Sequence, residues 1–423
     1  MRTLDSSKAR HSLAAVGFLI LGCASVQAAD LCVDASGKGG CSTTIGAAVA
    51  AAAPNDVIRV AKGTYHEDVV IGKPLSLLGK SPENTIIDAT GLLNGVNVDG
   101  YNNAGLAHVI VSGFTVQNAN AQGIVVTNAS DVTVSNNHVT GNDQSLDPVA
   151  LTCPPLPAYF QAGEAFDCGE AIHLSGVNHS IVSDNLVHHN AGGILISDDT
   201  GPNHDNLISG NVVQDNPFDC GITIASHHFN LGPTDPSVGI YHITVVGNTS
   251  RRNGLISGEG AGVGIFAGPP GAQNNTNVVA NNVLTGNALP GVAMHTHAPF
   301  QSLNDHLIIG NQISGNGPDS DPGTTVPTGI SISSPVVPLT GIVIAQNVFK
   351  GEGIDIGMNA ANGSSVDAHF NSFFGDVGVD NIGAGTISAT GNWWKCAGGP
   401  GADGCSTVIG SGVTTNPWLT RPY

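Results

Sequence analysis

The side chains best placed for proton or metal chemistry are Asp198 and Asp199, His227 and His228, and His295 and His297. Carboxylates and imidazoles exchange protons near neutral pH, and imidazole is also a ligand for zinc and copper. Three chemistries suit this set. In the first, a histidine base removes a proton beside a carboxylate, and a cation neutralises that carboxylate. Between Lys80 and Lys350 the only basic residues are Arg251 and Arg252. The cation must therefore be Arg251 or Arg252, a protonated histidine, or Ca²⁺ held by Asp198, Asp199 and Asp219. In the second, paired carboxylates act as acid and base across a water. In the third, His227, His295 and His297 bind Cu or Zn, with His228 and Asp199 near.

These residues lie far apart in the chain, so a regular scaffold has to gather them. Gly193-Ile194-Leu195-Ile196-Ser197 and the runs around it alternate with period two, as strands do. Asparagines recur at a fixed spacing of five: Asn137 and Asn142, Asn185 and Asn190, Asn248 and Asn253, Asn282 and Asn287, Asn311 and Asn316. An apolar strand led by glycine follows these pairs, as at Gly193, Gly262, Gly291 and Gly329. A fixed local motif with variable insertions marks a solenoid. The unit is too short for a helix plus a strand, and it fits one turn of a parallel β-helix. The asparagines are expected to stack between coils and to adopt the left-handed conformation at the turns.

Aligning the coils on the leading glycine sends the second, fourth and sixth residues outward. The second are His173, Leu195, Thr223, Gly264 and Ala293. The fourth are Ser175, Ser197, Ala225, Phe266 and His295. The sixth are Val177, Asp199, His227, Gly268 and His297. With coils about 4.8 Å apart, Asp199 and His227 should touch, and His297 should lie about 10 Å beyond. Gly268-Pro269-Pro270-Gly271 leaves a recess between them. In this register Ile194, Ile196, Ile222, Ile224, Val263, Ile265, Val292, Met294, Ile330 and Ile332 face inward. His227 is the first choice for proton transfer, oriented by Asp199. A second candidate region is the loop ending near Cys168, with Glu164, Asp167, Glu170 and His173.

The sequence resembles the right-handed parallel β-helix family with pectin-lyase-like folds, which includes carbohydrate-active and NosD-like repeat proteins. The likeness covers nearly all of the chain after the leader. It implies an all-β fold: a single-stranded right-handed parallel β-helix with a short N-terminal capping helix. Thr43-Thr44 before Ile45–Ala53 would be that helix, and Tyr65-His66-Glu67 would belong to the cap. The Asn392-Trp393-Trp394 to Gly399-Pro400 segment is similar to the closing segment of NosD-like proteins, so its tryptophans should seal the last coil. The order Asp198-Asp199, Ser226-His227-His228, Arg251-Arg252 resembles polygalacturonase-type hydrolases, but Ile172-His173-Leu174 stands where those enzymes place a further Asp. The implied function is action on a polysaccharide as lyase, epimerase or hydrolase, with Arg251, Arg252, His173 and Glu170 as substrate contacts. The other reading is a non-catalytic NosD-like periplasmic protein that binds copper or another metal, or an envelope interaction protein.

Residues 1–29 have a basic start, an apolar stretch too short to span a membrane, and small residues at Ala28-Ala29, as a secretory signal does. Leu21-Gly22-Cys23 also resembles a lipoprotein site, which Ile20-Leu21 fits poorly. A secreted or periplasmic domain over 30–423 is expected: a cap and first coils over 30–106, repeats over 107–371 and a closing segment over 372–423. The net charge of −19 argues against nucleic acid as a partner. No membrane span is expected, and the reading is of a monomer. Three local cysteine pairs read as disulfides in an oxidising compartment: Cys32–Cys41, Cys153–Cys168 and Cys396–Cys405. Cys220 is left over as a buried apolar thiol.

Overall fold

The computed structural model of the protein describes residues 28–147, 149–150, 153, 156–157, 167–228 and 238–423. Residues 1–27 of the expected leader, with Cys23, and Glu164 lie outside these residues, as does most of the loop clipped by Cys153 and Cys168. Each coil is built on three main strands, and three coils add a fourth two-residue strand, as at Asn203–His204. In one coil these are Leu207–Ser209, Val212–Gln214 and Ile222–Ser226. Their repeats stack into three parallel sheets of 14, 12 and 12 strands, here called the first, second and third. Strands of this solenoid run from Asp30 to Thr414, so segments on both sides of 107–371 are coils of the same stack.

The register is the one the alternation requires. Ile194 pairs with Ile222, Ile222 with Val263, Val263 with Val292 and Val292 with Ile330. All ten residues named as inward-facing have 0% exposure. The sixth position is different. Strands of the third sheet end by Ser175, Ser197 and Ser226, so the next residues lie in the bend, and there Val177 turns into the core.

Two asparagine ladders flank the second sheet. In the ladder between the first and second sheets, the Asn185 amide donates to Asn211 Oδ1 at 2.9 Å and Asn211 donates to Asn248 at 3.0 Å. Each side-chain oxygen also accepts the backbone N–H of the asparagine one coil earlier, as Asn211 Oδ1 does from Asn185 N at 3.0 Å. The amide reaches back as well, from Asn211 Nδ2 to Val182 O at 2.9 Å. A buried polar group is tolerable only when satisfied in this way. The left-handed residue is not the ladder asparagine but the one before it: Asn136, Asp184, Gly210, Gly247 and Asn281 all have φ between 52° and 66°. That residue turns the chain, and the next presents its amide along the stack.

The cap follows the same logic. Helix α1 spans Ile45–Ala51, and the Thr44 hydroxyl accepts the Ala47 N–H at 3.2 Å. Glu67 accepts the N–H groups of Ile45 and Gly46 at 2.7 Å each, so it caps the helix rather than catalysing. The stretch 63–71 forms two strands, Gly63–Tyr65 and Val69–Ile71, because it crosses a coil bend. Trp394 is fully buried against Phe373 and seals the last coils, whereas Trp418 is 38% exposed. The three disulfides join the expected partners. Cys220 is buried outside them, and its sulfur accepts the Ala261 N–H at 3.2 Å.

Glu352 occupies the ladder place after Asn316 and accepts its amide at 3.1 Å. Burial, only partly offset by Asn316, pushes its carboxyl up from 4.5 to about 7. The folded chain then holds a proton through the window from about 4.5 to about 7 that the unfolded chain has lost, so stability should fall as pH rises through that window. Glu352→Gln should remove this loss and raise stability at pH 8 by on the order of 2 kcal/mol, measured by urea denaturation of both proteins at pH 4.5 and pH 8. Ile224→Asp, which buries an unpaired charge among the inward rows, should abolish the cooperative unfolding transition seen by circular dichroism.

Candidate functional site

Insertions enter the coil at two places, just after the second ladder's asparagine and just after the third sheet. Both flank the outward face of the third sheet. On that face Ser175, Ser197, Ala225, Phe266 and His295 stand in one row, in register. The neighbouring row is His173, Leu195, Thr223, Gly264 and Ala293. Both rows match the sequence alignment. The expected single patch is two groups.

The first group is buried. His227 Nδ1 meets Asp199 Oδ1 at 2.8 Å. Ser197 Oγ donates to Asp199 Oδ2 at 2.8 Å and lies 2.8 Å from His173 Nε2. Since the hydroxyl proton is used on Asp199, His173 must donate from Nε2. Burial holds the His173 pKa down at about 4, so the ring is neutral near pH 7. Burial pushes the Asp199 carboxyl up, but the hydrogen bond and charge of His227 outweigh it and keep this group below its ordinary value. Asp198 serves the backbone: it accepts Ser226 Oγ at 2.7 Å and His227 N at 2.6 Å. Burial raises its pKa. The His227 side chain is only 9% exposed. His228 is half-buried beside it.

The second group opens to solvent. His295 Nε2 lies 2.7 Å from Asp319 Oδ2, and its Nδ1 lies 3.2 Å from Asp321 Oδ2. His297 Nε2 meets the same Asp321 oxygen at 2.6 Å. Asp319 also accepts the Ser331 hydroxyl. Burial would raise the Asp319 pKa, but the His295 bond holds it below the ordinary value. These groups line a cavity of about 450 Å³ with Asp219, Glu259 and Phe266. Gly268 lines it too, so the glycine-proline coil does open a recess, but neither Asp199 nor His227 lines it. The Phe266 ring packs over Gly264, where a Cβ would collide with it.

Several expected sets do not assemble. Asp219 precedes its third-sheet strand, whereas Asp198 and Asp199 follow theirs, so the strand length separates the three carboxylates proposed for Ca²⁺. His227 does not join His295 and His297; Asp321 takes that place, with ligand atoms of His295, His297 and Asp321 all within 4.8 Å of one another. Arg251 and Arg252 belong to the second-sheet side. Arg251 donates to Gln214, and Arg252 forms a two-point pair with Asp215 at 2.7 Å for each bond. Glu170 and His173 are both 0% exposed, in a third-sheet strand, and Asp167 begins the turn before it. Asp319 and Asp321 were missed. Their Pro318–Thr324 segment carries no period, and its only signal is two acids beside proline and glycine.

Gly264→Ala should push Phe266 off its seat, costing about 1–3 kcal/mol by overpacking, read as a lowered urea midpoint, with no titratable group altered.

A search for similar curated sequences finds no match. Among solved structures, a mannuronan C-5 epimerase A-module from Azotobacter vinelandii aligns at 14% identity and a TM-score of 0.50, over 90% of this chain and 94% of that one. An alginate lyase from Paenibacillus aligns at 13% identity and 0.46, over 91% and 99%. The pectin methylesterase PemA from Erwinia chrysanthemi aligns at 11% and 0.38, over 66% and 89%. At such identities the likeness is one of fold. The family model for the right handed beta helix region matches residues 84–305, more than half of the 423-residue chain, and the protein belongs to that right-handed parallel β-helix family.

Proposed function

We propose that the protein is an exported enzyme acting on a polysaccharide laid across the outward face of the third sheet, with the cavity of His295, His297, Asp319 and Asp321 as its working centre. One observation carries this reading: two imidazoles and two carboxylates from separate segments converge in a cavity where His297 and Asp321 reach solvent. Exposure decides between the two groups. The His297 side chain is 53% exposed and that of His227 is 9%, so a bound sugar reaches His297 first. His297 is the proton-transferring group and Asp321 orients it. The buried His173–Ser197–Asp199–His227 network stiffens the neighbouring part of the face. The three disulfides support export, and the likeness to a mannuronan C-5 epimerase module supports a glycan substrate.

The cavity's charge narrows the substrate. Asp219, Glu259, Asp319 and Asp321 line it without any lysine or arginine. A neutral glycan suits this lining directly, while a uronate needs a cation between itself and the carboxylates. The donor set favours a second form of the same reading, in which a zinc- or copper-class ion is held by His295 Nδ1, His297 Nε2 and Asp321. His295 would then turn its Nε2–H to Asp319, the carboxylate partner that metal-bound histidines commonly have. Such an ion would supply Lewis-acid help and a site for a uronate carboxylate.

The test is a panel of neutral and uronate polysaccharides, assayed for new reducing ends and for unsaturated products, beside elemental analysis of the purified protein. His297→Ala should cut kcat about 10²–10⁴-fold with an unchanged melting temperature. Full activity in that variant on the identified substrate would reject the centre.

A further inference from the structure

A different corner of the coil carries a second convergence of ligating groups. Where the chain enters the first sheet, one backbone position is left-handed in coil after coil: His108, Asp131, His179, Asp205, His242 and Thr276, with φ between 52° and 58°. Strand pairing places them in one column. Asp131 stands over His108, His179 over Asp131, Asp205 over His179 and His242 over Asp205. Imidazole and carboxylate therefore alternate up one edge of the solenoid. The left-handed conformation accepts Asp and His readily, which accounts for the residue types. It does not account for His204, which is not left-handed and still turns its Nδ1 onto Asp205 Oδ2 at 2.8 Å.

Asp205 thus faces three imidazoles from three successive coils. His242 Nδ1 lies 3.2 Å from its Oδ1, and His179 Nε2 lies 3.9 Å from its Oδ2. The ligand atoms of His179, His204 and Asp205 are all within 4.8 Å of one another. Two rings are already oriented. His179 Nδ1 bonds to Asn178 Oδ1 at 2.9 Å, which leaves Nε2 towards Asp205, and His204 stacks on Tyr241 with ring centres 4.7 Å apart and planes 3° from parallel. Oriented imidazoles with one carboxylate suit a borderline ion such as Zn²⁺ or Cu²⁺ rather than Ca²⁺, which takes oxygen ligands. No lysine or arginine occurs between Lys80 and Arg251, so no side-chain cation from that stretch competes for Asp205.

We propose that His179, His204 and Asp205, joined by His242, form a transition-metal site that staples three consecutive coils. The staple sits just after the bend that carries Asp198 and Asp199, and its His242 arm follows the 229–237 insertion. It would tie together the roots of both segments while leaving the sugar-facing cavity open.

The test uses the full mature chain carrying His297→Ala and Asp321→Ala, so that the cavity's donor set is gone. Metal is removed with chelator, and Zn²⁺ alone is titrated by calorimetry at pH 7.5. The expected result is one site and a zinc-dependent rise in melting temperature. Adding His179→Ala and His242→Ala should weaken binding at least tenfold and remove the rise. Both rings are more than half exposed, so the fold should survive their loss. Asp205→Asn, which keeps the shape and removes the charge, should weaken binding in the same way. No zinc binding, or zinc binding unaffected by these changes, would overturn the proposal and leave the column as an ordinary run of His–Asp pairs.

Discussion

A ladder asparagine such as Asn211 joins three coils. Its amide donates to the next asparagine and to a carbonyl of the previous coil, and its oxygen accepts two N–H bonds from its neighbour. Each bond contributes only about 1 kcal/mol net, but a buried amide with no partner would cost about 1–3 kcal/mol. The ladder therefore holds the bends on either side of the second sheet to one form. An extra residue between ladder and strand would put an amide out of line in every direction at once. Length variation is confined to the span after the second ladder and to the return from the third sheet. These are the two edges of one face, so insertions can wall a cavity only there.

The ladders also show what the interior accepts in place of asparagine. In the column of Asn206 and Asn277, His306 takes the next place, accepting the Asn277 N–H at Nδ1 and lying 3.1 Å from Asn274 O. Burial holds its pKa down at about 4, so it works as a neutral ring. Glu352 substitutes in the second ladder and shifts upwards for the same reason, because an interior without compensating charge favours whichever form is neutral. Beyond it Asp355 is buried and its carboxyl is pushed well above the ordinary value, with the N–H of Gly375 as its hydrogen-bond donor. Among the described residues histidine is found neutral inside, networked under the third-sheet face, and solvent-facing beside an aspartate, as at His306, His227 and His297. Position in the coil decides which.

Carboxylates crowd the third-sheet side where each of three has an assigned donor. Asp198 takes a backbone N–H and a hydroxyl, Asp199 a histidine and a hydroxyl, and Asp319 a histidine and a hydroxyl. Arg251 and Arg252 are spent on the second-sheet side, where Arg252 pairs with Asp215. The cavity is left with histidines as its only cationic candidates.

From sequence alone one could read the coil, its register, the inward rows, the three disulfides and the contact of Asp199 with His227. All of these follow from spacing, because a period-two strand on a fixed asparagine interval leaves one register. The partners of His295 and His297 could not be read. Asp319 and Asp321 lie in an insertion without periodicity, and only the folded path of Pro318–Thr324 brings them over the third sheet. The sixth position misled for a related reason: the strand stops before it, so alternation no longer says where Val177 points. Asp219 looked close to Asp198 and Asp199 because it adjoins the same sheet, yet a strand length lies between them. The His–Asp column was hidden because insertions of different length separate its members. Sequence spacing determined everything that repeats, and tertiary structure decided everything that hangs from the repeats, since the ladder's hydrogen bonds constrain the bends and leave the insertions to their own contacts.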